Sequence, residues 1–215
     1  MNEMNEQPKT LPTALVRRLP AYYRNLCVME AEGKETTTSR ELAERINNTS
    51  AQVRQDFFTC GGVPGYKVTE LKNWLAKLMG IENDHHMVVV GAGNLGRAII
   101  SFKEFADDRF FIDVVFDSNL LFHGMQVGSV PILNAALLEE YLEQHDIDIV
   151  AIATPASAAP DIYEKAVRGG VKGIWNFAPV DLGTDGAVPV QNVHLSDTLM
   201  MLSFRMEEAK REKEE

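Results

Sequence analysis

MVVVGAGNLGRAIISFKEFA, residues 87–106, is the stretch from which the rest of the chain can be read. Met87 to Val90 form an unbroken apolar run, as in a strand buried on both faces. Gly91, Gly93 and Gly96 follow at G-x-G-x-x-G spacing, and a helix is predicted over about 94–106. Gly91 permits the tight turn, Gly93 lets a pyrophosphate approach the backbone, and Gly96 lets helix and strand pack closely. The helix start, with Asn94 and Leu95, offers unpaired N–H groups to phosphate oxygens. The next predicted strand, 111–116, ends at Asp117, 21 residues after Gly96. A carboxylate there accepts both adenosine ribose hydroxyls and repels a 2′-phosphate, which favours NAD(H) over NADP(H).

Downstream, strands are predicted at 148–153, 173–177 and 187–193, and helices at about 134–145 and 158–169. Apolar strands alternating with amphipathic helices indicate an α/β fold, a mostly parallel sheet covered on both faces in the Rossmann manner. Ligands of such sheets lie beyond the carboxyl ends of the strands, which singles out Thr154, Pro155 and Ala156, then Asn176 and Phe177. Asn176 has two readings, a hold on a carboxamide or ribose and a cap on its own loop. A last helix begins near Ser196 and carries Leu199, Met200, Leu202, Ser203 and Phe204, too apolar a set to lie free beside solvent. Its charged end, EEAKREKEE, is expected to fray.

Upstream the period changes. Residues 1–13 read as a tail containing Pro8 and Pro12, and a helix follows from Ala14 to about Ala31 with Pro20 as a kink or a change of phase. Thr38 or Ser39 caps a short helix, SRELAERI. Asn47, Asn48 and Thr49 make a turn, and Ser50 can cap the next helix, SAQVRQDFFTC. Two short helices joined by a three-residue polar turn form the helix-turn-helix pattern. GGVPGY then reads as a tight turn, YKVTEL opens with a short strand, and LKNWLAKLMG at 71–80 is an amphipathic helix. Together these suggest a winged variant, with a small accessory helical bundle as the alternative. IENDHH links the two parts.

The formal charge of −10 argues at first against a nucleic-acid partner. Residues 1–80, however, hold 11 Lys/Arg against 9 Asp/Glu, while 81–215 hold 10 against 22. That asymmetry permits a DNA-facing head on an acidic body. Cys27 and Cys60 show neither metal nor disulfide spacing, and MNEMNEQPKT lacks the apolar core of a signal peptide, so a cytoplasmic location is expected. Hydride-transfer machinery is not evident. His85 and His86 fall in the linker, His123 and His145 read as exposed, and His194 alone has an interesting position. No catalytic activity is expected.

Several stretches now converge: RRLPAYYRNL at 17–26, TSRELAERINNTSAQVRQD at 38–56, GYKVTEL at 65–71, VVGAGNLGRAI at 89–99, VKGIWNFAPV at 171–180 and LMMLSF at 199–204. With these the chain resembles, over nearly its whole length, the Rex family of redox-sensing transcriptional repressors. The resemblance implies a winged helix-turn-helix domain over 1–80, a Rossmann NAD(H)-binding domain over 81–194, and a dimerisation helix with a charged tail over 195–215. It implies a homodimer with that last helix exchanged between subunits, bound to a palindromic double-stranded DNA operator and released by NADH. The operator-reading helix maps to Ser50–Cys60, with Gln52, Arg54 and Gln55 as contacts. Arg54 suits a base edge or phosphate, and Gln52 or Gln55 suits adenine. Ser39 and Ser50 face phosphates, and Tyr66 and Lys67 sit at the wing.

Departures from the family pattern are as specific. Arg54-Gln55-Asp56 stands where Arg-Lys-Asp is common, and the glycine-rich wing loop is shortened and lacks its arginine. Phe102 replaces a tyrosine placed near the nicotinamide, and His194-Leu195 replaces Asp-Phe. The family's aspartate implies a pairing with the partner subunit at the position of Arg18, which His194 cannot supply. Leu199, Leu202 and Phe204 keep the apolar interface. Three functions stay open on these residues: an NAD(H)-responsive repressor, a DNA-binding protein indifferent to NAD(H), and an NAD-binding enzyme or interaction module.

Overall fold

The computed structural model describes residues 11–63 and 65–214 and divides into two compact units between Asn83 and Asp84. Most of the predicted N-terminal tail, with Pro8, and Pro64 of the predicted turn lie outside the described residues.

The first unit is helical. Helices α1 (Thr13–Val16) and α2 (Leu19–Ala31) replace the single kinked helix expected there. Pro20 lies in the first turn of α2, where its missing N–H would have had no partner, so it starts a helix instead of bending one. Helices α3 (Ser39–Arg45) and α4 (Ser50–Thr59) are the predicted pair, capped by Thr38, one of the two residues expected, and by Thr49 in place of the expected Ser50. Thr38 Oγ1 accepts from Glu41 N, and Thr49 Oγ1 accepts from Gln52 N, each at 3.1 Å. Ser39 and Ser50 are therefore first helical residues, displaced from the cap position by one. In the turn, Asn47 takes the left-handed conformation (φ 53°) and Asn48 Oδ1 accepts from Thr49 N at 2.8 Å.

The predicted wing strand shrinks to one antiparallel bridge, Thr36 with Lys67, because α5 (Val68–Met79) already begins at Val68. Leu19, Tyr22, Leu26, Leu42, Val53, Phe57, Leu71 and Leu75 form the buried core that fastens α4 to its neighbours. At roughly 1.5–3 kcal/mol for each large side chain, this burial dominates over the caps in holding α4.

The second unit alternates strand and helix: β1 (His85–Val90), α6 (Asn94–Ile100), α7 (Glu104–Asp107), β2 (Phe110–Asp117), β3 (Gln126–Val127), β4 (Val130–Asn134), α8 (Leu138–Gln144), β5 (Ile149–Ile152), α9 (Ala159–Arg168), β6 (Gly173–Asn176), β7 (Val190–Asn192) and α10 (Leu195–Glu214). His85 and His86 thus open a strand instead of lying in a linker. The helix expected over 94–106 breaks into α6 and α7, and the one over 134–145 begins as a 3-10 turn before α8. Strands β3 and β4 were not expected. The α10 helix runs through its charged end to Glu214, where frayed chain was anticipated, and Lys210 pairs there with Glu207.

The sheet order is β3-β4-β2-β1-β5-β6-β7, all neighbours parallel except β3 with β4. One face, with Val88, Val90, Phe116, Val150 and Ile152, packs under α8 and α9. The other, with Met87, Val89, Val115 and Ala151, packs with Ile99 of α6. A groove of about 530 Å³ runs along β1, β5 and β6, lined by apolar side chains that include Met87, Phe105, Phe110, Ile149 and Trp175. On α10, Leu195, Leu199, Leu202 and Phe204 are each more than half exposed.

Candidate functional site

Strand β1 has β2 on one side and β5 on the other, so the chain leaves the sheet in opposite directions at their carboxyl ends. A crevice opens there in this topology. The structure has a cavity of about 490 Å³ at that place. Its walls bring together Gly91, Gly93, Asp117, Thr154 and Pro155, and also Ser118, Asn119 and Phe122. Those last three were missed by sequence reasoning, because a 3-10 turn over 120–122 carries no strong pattern. Asn119 follows Asp117 by two, and such a turn former was the available signal.

The glycines divide into two that the protein itself requires and one that it leaves open. Gly91 has φ +111°, and a Cβ on it would lie 2.4 Å from the carbonyl oxygen of Ala153. A Cβ on Gly96 would lie 1.8 Å from the carbonyl oxygen of Gly91. A Cβ on Gly93 would meet nothing within 4 Å, so the space above it belongs to no protein atom. Gly93 is exposed and lines the cavity, whereas Asn94, exposed, and Leu95, half-buried, follow it in the first turn of α6 and are not part of the cavity wall.

Asp117 accepts from Ala92 N at 2.6 Å and from Asn119 N at 2.7 Å, which fixes its carboxylate at the cavity wall. Thr154 Oγ1 is the one buried side-chain oxygen or nitrogen without a hydrogen-bond partner among the described residues. A desolvated hydroxyl is costly unless something else pairs with it. The orphaned hydroxyl, the open approach over Gly93 and the acceptor at Asp117 suit a dinucleotide carrying phosphates and ribose hydroxyls.

Asn176 resolves toward its second reading. It is fully buried, its Nδ2 donates to Val180 O and to Asn192 Oδ1 at 2.7 Å, and its Oδ1 accepts from Ala178 N. Its amide therefore holds the loop after β6. Phe102 is about half exposed, and ring contacts run from it through Phe105 and Trp175 to Phe177. His194 Nε2 lies 2.8 Å from Asp181, and that hydrogen bond raises the imidazole's pKa. His123, expected in solvent, is half-buried against the carbonyl of Asp117.

In the first unit, Arg54, Gln55 and Lys67 are exposed and Ser39, Ser50 and Tyr66 are half-buried. Arg54 Nη1 donates to Ser39 Oγ at 3.3 Å, so α4 and the start of α3 share a polar edge. Lys67 pairs with Glu70. Beneath this edge, Asp56, 2% exposed, accepts from Arg18 Nε and Nη2, Tyr22 Oη and Gln52 Nε2, each at 2.7 Å. Arg18, which the resemblance assigns to a partner contact, is thus held by its own unit. Burial works to raise the Asp56 carboxyl, but the hydrogen bonds from Arg18, Tyr22 and Gln52 outweigh it and hold the group below its ordinary value. Burial pushes the Cys60 thiol up to about 11, which makes it inert. Among the described residues, no group of three or more His, Cys, Asp or Glu could hold a metal ion, and no helix is long and apolar enough to cross a membrane.

Comparison with known proteins adds an independent line. Residues 82–180 match the "CoA binding domain" family and residues 10–57 match "Putative DNA-binding protein N-terminus". The redox-sensing transcriptional repressor Rex of Clostridium botulinum (strain Hall) is 36% identical over 202 residues, covering 92% of this chain and 96% of that one. Its counterpart in Clostridioides difficile (strain 630) is 35% identical over 206 residues, covering 94% and 98%. Among solved structures, RSP in complex with β-NADH superposes with a TM-score of 0.88 at 35% identity, covering 96% of this chain and 99% of that one. RSP with β-NAD+ and operator DNA gives 0.87 at 34% identity, covering 96% and 97%.

Proposed function

This chain belongs to the Rex family of redox-sensing transcriptional repressors, and from that premise we propose that it is a cytoplasmic, homodimeric repressor that binds a DNA operator in response to NAD(H). The observation that carries the reading is the presence on one chain of a polar-edged helix-turn-helix and a switch-point cavity. That cavity combines an open glycine approach with an orphaned hydroxyl.

Gly91, Gly93, Asn94 and Leu95 surround the pyrophosphate, Asp117 takes the adenosine ribose, and Thr154 and Pro155 close the other wall. Phe102 and Phe177 flank the nicotinamide, with Asn176 supporting the loop that carries Phe177. NAD(H) supplies a nicotinamide whose charge and planarity change with reduction. The protein reads that change as a difference in affinity between two states. On the DNA side, α4 enters the major groove with Gln52, Arg54 and Gln55, Ser39 and Ser50 meet phosphates, and Tyr66 and Lys67 approach from the reduced wing. Residues 1–80, 81–194 and 195–215 act as DNA-binding, nucleotide-binding and dimerisation parts. The apolar side chains of α10 cover the groove along β5 and β6 of the partner subunit, which accounts for both exposed surfaces.

NADH favours the state that binds DNA poorly. A hundredfold release requires a differential affinity of about 2.7 kcal/mol. Fluorescence polarisation of the dimer on labelled palindromes from its own upstream region, titrated with NADH and NAD+ separately, tests this. Release by NADH at tenfold or more lower concentration than by NAD+ is the expected result. Equal response to both would remove redox sensing from the reading.

A further inference from the structure

The buried carboxylate of Asp56 has a consequence for how the recognition helix reads DNA. Gln52 is the third residue of α4, at the border of the face that carries Arg54 and Gln55. Its amide is not free to turn. Nε2 donates to Asp56 Oδ1 at 2.7 Å, on a carboxylate that also accepts from both arms of Arg18 and from Tyr22. An ionised carboxylate has no proton to give, so turning the amide over would set its oxygen against Asp56 oxygens. The surrounding donors keep that carboxylate ionised. Gln52 Oε1 takes no hydrogen bond from the described residues, and it is not among the buried unpartnered atoms. It is therefore the end of the amide that is left for an outside donor.

An unrestrained glutamine turns either end toward a base and so accommodates adenine or guanine. With one Nε2 hydrogen held by Asp56, the amide presents Oε1 outward with only its second N–H beside it, so the leading oxygen requires a hydrogen-bond donor, and in the major groove the donors are the exocyclic amines, N6 of adenine and N4 of cytosine. Guanine O6 and thymine O4 would confront the oxygen with a second acceptor. We propose that Gln52 is a specificity-determining residue preset by Asp56 to accept from an exocyclic base amine, with Asp56 acting as a positioning residue that does not touch DNA. The proposal rests on the DNA-binding reading of α4 and adds the direction in which that helix discriminates.

The test starts from in vitro selection by the full-length protein on duplexes with randomised palindromic half-sites. Affinity is then measured on the selected duplex after single-atom changes: purine for adenine and 2-pyrimidinone for cytosine, which delete the amine, and 7-deazapurines, which delete N7. We expect one position per half-site at which deleting the amine weakens binding about tenfold. Gln52→Ala should abolish that sensitivity at the same position and leave the others intact. Asp56→Asn provides an amide that can donate to Gln52, frees the turn, and should let guanine or thymine replace the selected base there with less than threefold loss. If Asp56→Asn fails to fold, the base-analogue series with Gln52→Ala decides alone. A selected duplex with no amine-dependent position, or one whose amine dependence survives Gln52→Ala, overturns the proposal while leaving DNA binding standing. Selection that enriches no duplex overturns the DNA-binding reading and this proposal with it.

Discussion

At the scale of single residues, the structure separates positions that the fold leaves open from those that it requires. Gly93 belongs to the first kind, since nothing in the protein needs its missing Cβ. Gly93→Asp should fold normally and lose dinucleotide binding by more than a hundredfold in calorimetry, because it fills and charges the pyrophosphate approach. Asp56 belongs to the second kind. Its folded pKa is depressed, so its stabilisation is fully present above its ordinary value of 3.8 and is lost as pH falls through the folded value. Thermal unfolding at pH 7 should show Asp56→Asn less stable by about 3 kcal/mol, from the loss of a buried ion-pair acceptor. The gap to the parent protein should begin to narrow below about pH 4 and close only as the pH falls through the depressed folded value. His194 has the opposite sign. Its pKa is raised by Asp181, so the pair stabilises at pH below the ordinary histidine value of 6.5 and fades as pH rises through the raised one. Asp181→Asn should move the His194 midpoint, followed by NMR, downward. The sequence marked Gly91, Gly93, Gly96 and Asp117 by spacing. It could not reveal the Arg18–Asp56 and His194–Asp181 pairs, because each joins residues brought close only by folding.

At the scale of elements, local chemistry was legible where one residue type leaves few choices. The turn of Asn47 and Asn48 and the buried run of β1 are such places. The first cap was left between two residues and the second was placed one residue late, because Thr38-Ser39 and Thr49-Ser50 each offer two competent hydroxyls in a row, and only the helix phase set by Leu42, Val53 and Phe57 chooses between them. Thr49→Ala should therefore lower stability by about 1 kcal/mol in denaturant titration, and Ser50→Ala by much less. Strands β3 and β4 escaped because Pro131 sits inside β4, a residue that argues against a strand. It is tolerated because the pairing of β4 with the interior strand β2 begins only at Ile132, so Pro131 faces just the two-residue edge strand β3. The wing strand failed in the other direction. YKVTEL after the GGVPGY turn suggested a short strand, but Leu71 and Leu75 bury on the core side of α5 and draw Val68 into the helix.

At the scale of the whole molecule, the α10 side chains and the groove along β5 and β6 present apolar surface. Under the dimer reading, Leu199→Asp with Leu202→Asp should shift the mass in sedimentation equilibrium from dimer to monomer. DNA affinity should then fall with it, because a palindrome is read by two heads. Arg54→Ala, in contrast, should weaken DNA binding about tenfold while leaving dimer mass and NAD(H) affinity unchanged. With few cations on the recognition face, the salt dependence of binding should be shallow, with a slope in log–log form of magnitude below about 6.

By itself the sequence determined the two-part organisation, the parallel alternation of strand and helix, and the glycine turn with its acidic partner. Each of these is written in residue type and short-range spacing, which govern backbone conformation and the periodicity of burial. Tertiary structure alone decided which polar side chains are spent within the protein and which remain for a ligand. Asn176 is consumed by its loop, Arg18 by Asp56, and Gln52 is left with one free end, whereas Thr154, a residue of the cavity wall, keeps a buried hydroxyl without a partner. The reason is that a hydrogen bond depends on position to within tenths of an ångström, and positions 34 or 38 residues apart along the chain are fixed only by packing of the core between them.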